Sequence, residues 1–233
     1  MRIFMKSLIK TARIAGVLYI LMDIFMIFSG MVVDPKLYVS GDAAATISNI
    51  MAYDLLFRLG FVSNQVGWIF QLLLVHVLYE LFKSVDRGQA RLMVILVVVF
   101  VSVAFLNTIN QFVPILLFSD VGYLTAFDTT QLQTLAMFFL KMYEHGILIN
   151  ELFWGLWLIP LGVLVYKSRF VPKILGVLLF IGCFGHLITY SSTFLFPDYN
   201  AILKSIGEIV MFGELPIFLW LLIKGVNYQI PKT

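Results

Sequence analysis

The chain has 233 residues, of which 61% are apolar and 12% charged, with a mean hydropathy of +0.98 and a net charge of +3. A soluble domain of this size is nearer half apolar and a quarter charged, so the pI of 8.9 marks a membrane face rather than a nucleic-acid site. Nucleic-acid binding would need a basic stripe interleaved with aromatics on a soluble module, and one cysteine, Cys183, excludes an internal disulfide and a Cys-based zinc or iron–sulfur motif.

Arg2, Lys6, Lys10 and Arg13 precede the first apolar run. That resembles the n-region of a signal peptide. The run is too long for an h-region and no small-x-small site closes it, so an uncleaved first span over 14–33 is expected. Asp34-Pro35 is expected to end it, because Pro removes a backbone donor and restricts the residue before it. Ser40 or Asp42 can then cap a short amphipathic helix over 43–57, in which Ile47, Ile50, Met51 and Leu55 recur at helical spacing. Such a helix would lie on the outer membrane face.

The second span is read over 59–82 and is followed by the basic turn of Lys83, Arg87 and Arg91. The third covers 92–118, interrupted by Pro114, and its outer loop holds Asp120 and Asp128. A second short helix is expected over 130–143, running on toward the fourth span at 146–166. The turn from Lys167 to Lys173 is basic again. The fifth span is read over 174–196 and the sixth over 201–223, with Lys224 and Lys232 beyond. Each is about long enough to cross a hydrocarbon core of ~30 Å. The fold expected is an all-α polytopic membrane bundle of six transmembrane helices in one domain.

Lys and Arg set the orientation. Arg2, Lys6, Lys10, Arg13, Lys83, Arg87, Arg91, Lys167, Arg169, Lys173, Lys224 and Lys232, twelve of sixteen, fall in every second gap. Lys36, Arg58, Lys141 and Lys204 fall on the other side. The positive-inside tendency then puts both termini in the cytoplasm. In a Cys183→Ser background, an impermeant thiol reagent should label a cysteine placed at Asp198 in intact cells and spare one at Lys83. The reverse pattern would overturn the orientation.

Arg13-Ile-Ala-Gly-Val-Leu, Arg91-Leu-Met-Val-Ile-Leu and Lys173-Ile-Leu-Gly-Val-Leu each open an outward span after a cation. Three helical hairpins in parallel orientation are one reading of that spacing. Simple alternation of a polytopic chain is the other.

Several motifs resemble the bacterial family catalogued as domain of unknown function 4386. They are Ala12-Arg13-Ile14-Ala15-Gly16-Val17-Leu18-Tyr19, Gly41-Asp42-Ala43-Ala44-Ala45-Thr46, Phe57-Arg58-Leu59-Gly60, the stretch from Phe170 to Leu179, and Gly213-Glu214-Leu215 with the stretch from Trp220 to Gly225. The likeness covers about Thr11 to Val226. It implies a polytopic membrane protein in the bacterial cytoplasmic membrane and assigns no catalytic residue.

Charged groups inside a bilayer cost at least ~2.5–3.5 kcal/mol at a span centre and normally face a bundle interior or cavity. At a helical rise of about 1.5 Å per residue, Glu151 and Glu208 sit roughly 8 Å below the outer surface, with Asn110 and His186 roughly 12–15 Å down. Asp23, Gln71, Asn107 and Glu214 come nearer the midplane. Asn64 and Gln65 enter at the outer end of the second span. The inner half is poorer, with His76 and Glu80 as a local pair four residues apart. An outward-facing polar pocket is expected, with Asp23, Asn110, Glu151, His186, Glu208 and Glu214 as its binding candidates. Asn and Gln there have a plainer role as interhelical hydrogen-bond partners. The four acids have no Lys or Arg at matching depth, so they are either neutral and hydrogen-bonded or part of a proton or cation path.

Glu144, His145, Glu151, His186, Glu208 and Glu214 hold the right donor types for zinc or iron, and His145, His186, Glu151 and Glu208 are the metal candidates. No ligand-spacing motif supports that, and no cofactor is indicated. A Gly-x-Ser-x-Gly elbow and a phosphate-cradling glycine loop are missing too. Pro216, two residues after Glu214, is expected to bend the sixth span beside that carboxylate. The leading reading is binding or movement of a small solute, ion or lipid. A membrane-embedded hydrolase, metal-assisted or not, and a non-catalytic scaffold or stress-related protein are the alternatives. Partners are membrane lipids and a small ligand, with no nucleic acid.

Overall fold

The computed structural model describes residues 2–119 and 122–226. Asp120 and Lys232 lie outside them. The described residues are helical throughout, with short connections: α1 (Arg2–Ile27), a π-helical segment (Phe28–Val33), α2 (Asp34–Leu37), α3 (Ala43–Ala52), α4 (Asp54–Phe82), α5 (Arg87–Leu117), a 3-10 turn (Gly122–Ala126), α6 (Thr129–Lys167), α7 (Lys173–Phe194), a 3-10 turn (Pro197–Tyr199), α8 (Asn200–Met211), a 3-10 turn (Phe212–Glu214) and α9 (Leu215–Ile223). Six stretches are long and apolar enough to cross a membrane: Ser7–Leu37, Asp54–Phe82, Arg87–Leu117, Thr129–Lys167, Lys173–Phe194 and Pro197–Ile223. The protein is a polytopic membrane protein. Large side chains such as Ile95, Ile109 and Phe184, each about 60% exposed, fit a hydrocarbon solvent.

Three local expectations change. Asp34-Pro35 does not end the first span. The helix widens to π geometry before it, the Asp34 N–H donates to the Ser29 carbonyl, and Pro35 enters at the start of α2, where its missing N–H costs least. The short helix expected over 43–57 stops at Ala52, and Asp54 opens α4 instead. Asp42 caps α3, accepting from the Ala45 N–H at 2.8 Å. The second short helix is not separate: it is the first part of the 39-residue α6. Asp128 and Gln131 start that helix with a reciprocal capping box, at 2.8 and 3.0 Å.

The chain divides into two compact units. One comprises Met22–Ile69 and Ser102–Ile147. Its apolar core joins Val33, Leu37, Ile47, Ile50, Phe57, Ala136 and Leu140. The apolar face of α3 is therefore spent on protein packing, not on the surface of a bilayer. Polar bonds tie the same unit together. Asn107 donates to the Tyr143 carbonyl at 2.8 Å, Asn110 to the Asn107 side-chain oxygen at 3.2 Å, and Asn64 to the Tyr143 hydroxyl at 3.0 Å. Each such bond is worth about 0.6 kcal/mol on average in a membrane. Burial holds the Tyr38 phenol above its ordinary range, with Asp34 and Glu144 adding to the effect and Gln111 opposing it.

The other unit comprises Met1–Leu21, Phe70–Val101 and Leu148–Thr233. Lipid tails are as apolar as leucine, so close backbone approach must supply the attraction between helices. Glycine allows it here. A Cβ on Gly162 would stand 3.1 Å from the Gly176 carbonyl, where α6 meets α7. A Cβ on Gly185 would stand 2.7 Å from the Gly207 carbonyl, where α7 meets α8. Aromatic pairs fill the remaining space, with Phe82 on Phe170 and Tyr19 stacked on Phe218 at 3.7 Å. Between α4 and α5, Asp86 accepts from the Gly88 and Gln89 N–H groups and from Lys167 at 2.8 Å. The Lys167 ammonium, followed by the Gln89 N–H, holds the Asp86 carboxyl below the usual range.

Candidate functional site: a buried histidine–carboxylate pair

The sixth span changes helix type partway. It tightens from α8 to the 3-10 turn Phe212–Glu214 and resumes as α9, with Met211, Phe212, Glu214 and Leu215 all in the right-handed helical region and Pro216 in the first turn of α9. The 3-10 turn lies where a bend beside Pro216 is expected. It leaves Glu214 as the N-cap residue of α9, within a membrane-spanning stretch. Glycine makes room for the turn, since a Cβ on Gly213 would lie 2.6 Å from the Leu178 carbonyl. The Tyr19 hydroxyl is 3.5 Å from Glu214 Oε1, at the limit of a hydrogen bond.

Glu151 on α6 and His186 on α7 form a buried side-chain contact in this unit. His186 Nδ1 lies 2.6 Å from Glu151 Oε2, with side-chain exposures of 8% and 11%. The carboxylate orients the ring and makes Nδ1 the protonated nitrogen when the imidazole is neutral. Gly155 permits the approach, as its Cβ would be 3.1 Å from His186 Cβ. Trp154 meets the ring edge-on at 6.3 Å between centroids. Glu214 is close enough to act electrostatically on His186.

His186 Nε2, the other ring nitrogen, is buried without a hydrogen-bond partner. So are Asn150 Oδ1, beside Glu151, and Thr189 Oγ1, one turn along α7. Buried polar atoms are nearly always paired, so each such atom calls for an explanation. In the Nδ1–H tautomer Nε2 is an acceptor, able to take a proton or to receive a donor from a polar ligand.

Of the six binding candidates, then, Glu151 and His186 touch and Glu214 acts on His186. Glu208 does not join them. It is exposed and faces Lys204 at 3.9 Å, one turn away, so the expected lack of a cation at its depth is corrected. Asp23 and Asn110 belong to the other unit, where Asp23 is half-buried and Asn110 bonds Asn107. Of the metal candidates, His145 is exposed, with Nδ1 2.8 Å from the Lys141 carbonyl, and Glu144 pairs with Lys141. Among the described residues no three His, Cys, Asp or Glu side chains converge as a metal site would need. Glu80 pairs with Lys83 rather than with His76. Cys183 is buried, with its carbonyl against Gly155.

Sequence reading missed Tyr19, Asn150 and Thr189. A tyrosine in an apolar run reads first as a lipid-facing or packing side chain, and a hydroxyl near a helix end normally bonds to backbone. Asn150 carried one signal, its place directly before a membrane-embedded Glu.

Comparison with known proteins adds a relative that is itself uncharacterized. A 77-residue stretch, 33% of this chain, is 40% identical to an uncharacterized protein of Archaeoglobus fulgidus and covers 44% of it. The match thus spans less than half the length of that relative. No solved structure matches the chain. The family profile described as Domain of unknown function (DUF4386) matches residues 14–225, and the chain belongs to that family.

Proposed function

We infer that this protein binds or moves a small solute or ion through the carboxylate–imidazole chemistry of Glu151, His186 and Glu214, without covalent catalysis. It does so in the cytoplasmic membrane with both termini in the cytoplasm. One observation carries the reading: a buried ring nitrogen, His186 Nε2, has no partner, in the unit where the sixth span tightens to a 3-10 turn that bears Glu214. A buried polar atom without a partner costs a scaffold stability and gives it nothing in return. A histidine whose orientation is set by Glu151 can take up and release a proton without moving.

Proteoliposomes with a trapped pH-sensitive dye test this under an imposed diffusion potential. The wild type should collapse the proton gradient. Glu214→Gln should do so roughly a hundredfold more slowly, the scale of losing one positioned proton-transfer group. Unchanged flux in that variant would remove Glu214 from the mechanism. A wild type as tight as empty liposomes, across a panel of cations and small solutes, would favour the scaffold.

A further inference from the structure

Two cations at the turn between α4 and α5 have no carboxylate. Asp86 is engaged by Lys167 and Glu80 by Lys83. Arg87 and Arg91 are exposed and in no ion pair among the described residues. They are four apart on α5, hence on one helix face. Both are near enough to Tyr79 of α4 to act on it electrostatically.

Tyr79, Arg91 and His76 are the polar lining of a groove of about 450 Å³. Leu72 and Val75 of α4 and Val94, Ile95 and Val98 of α5 supply its aliphatic walls. Val98 stands about 10 Å further along α5 than Arg91. Both helices are membrane-spanning stretches, and Arg87 is the first residue of α5. The cations are thus at the end of a span and the aliphatic walls inside it.

That pattern selects its occupant. A free anion would satisfy the arginines and leave the walls unused, and a neutral alkyl chain would do the reverse. One molecule that carries both features and is abundant at that place is an anionic phospholipid. We propose that the α4–α5 groove is a binding site for an anionic phospholipid, with the phosphate held by Arg87 and Arg91 and an acyl chain laid between Leu72, Val75, Ile95 and Val98. Guanidinium groups bind phosphate through paired N–H donors, and Tyr79 adds a hydroxyl donor. Basic pockets between membrane helices recognise lipid headgroups by the same chemistry.

Delipidated protein in mild detergent, given mixed micelles of phosphatidylglycerol and phosphatidylcholine, provides the test by native mass spectrometry. The wild type should retain phosphatidylglycerol in preference to phosphatidylcholine. Arg87→Gln with Arg91→Gln should lower phosphatidylglycerol binding at least about tenfold, from two lost phosphate-facing charges. Lys173→Gln with Lys224→Gln removes two cations elsewhere and should change it by less than about threefold. Ile95→Trp should reduce binding by filling the groove while the arginines remain. Thermal unfolding of each variant in the same detergent separates a lost site from a lost fold. Equal retention of the two lipids by the wild type would overturn the proposal. So would equal losses in the two double variants, which would reduce the effect to general attraction by a basic surface. Full binding by Ile95→Trp would overturn the acyl slot.

Discussion

Glu151→Leu should destabilise the protein by roughly 2–3 kcal/mol, and the double variant Glu151→Leu/His186→Leu should recover most of that loss. The single change leaves His186 Nδ1 buried at 8% exposure with no acceptor. An orphaned buried donor costs about 1–3 kcal/mol, more if the ring is charged. Replacing both partners with apolar groups removes the need for the bond, which is why the double change is milder. An ordinary interhelical bond in a membrane is worth about 0.6 kcal/mol, so the magnitude distinguishes the two cases. A loss near that smaller figure, with additive single and double variants, would show that Glu151 and His186 are not coupled. Reversible unfolding in mixed micelles with a double-mutant cycle measures the coupling directly. The flux assay run on the double variant then separates stability from function: it should fold and be inactive.

Gly185→Leu should prevent the native packing of α7 against α8, and Gly185→Ala should already cost about 1–3 kcal/mol. A Cβ at residue 185 would sit 2.6 Å from the Met211 nitrogen and 2.7 Å from the Gly207 carbonyl. Those are backbone atoms, so no side-chain rotation can relieve the clash. The only response is to move α8 away, and α8 leads directly into the turn that carries Glu214. Gly30→Ala is the control. Nothing lies within 4 Å of a Cβ there, so it should be neutral or slightly stabilising, as Ala favours helix over Gly by up to about 1 kcal/mol. Similar losses at both positions would mean that helix propensity, not close approach, decides the outcome at Gly185.

Asp23 and Glu208 show the limit of reading depth from a sequence. Both lie in apolar runs at depths that point to a shared pocket. Depth along a helix does not give the direction in which a residue faces, and a rotation of 100° per residue separates the bundle interior from its surface. Glu208 took the exposed face with Lys204, while Glu151 took the buried one. Pro35 and Pro216 make a similar point. Both lack the N–H that a helix needs, yet the first follows a widened π segment and the second a tightened 3-10 turn.

The six spans, the all-helical class and the alternation of basic gaps are legible in the amino-acid order alone. These follow from the local cost of placing backbone and charge in hydrocarbon, which each segment meets alone. The same order also marked Glu151, His186 and Glu214 as chemically unusual. Only the tertiary structure decided that Glu151 meets His186 and that α3 packs on protein. It also decided that Arg87 and Arg91 of α5 act on Tyr79 of α4. Those outcomes depend on which helices adjoin and how each is rotated. Backbone contacts such as Gly185 on Gly207 set both, and pairings between segments leave no trace in the periodicity of either one.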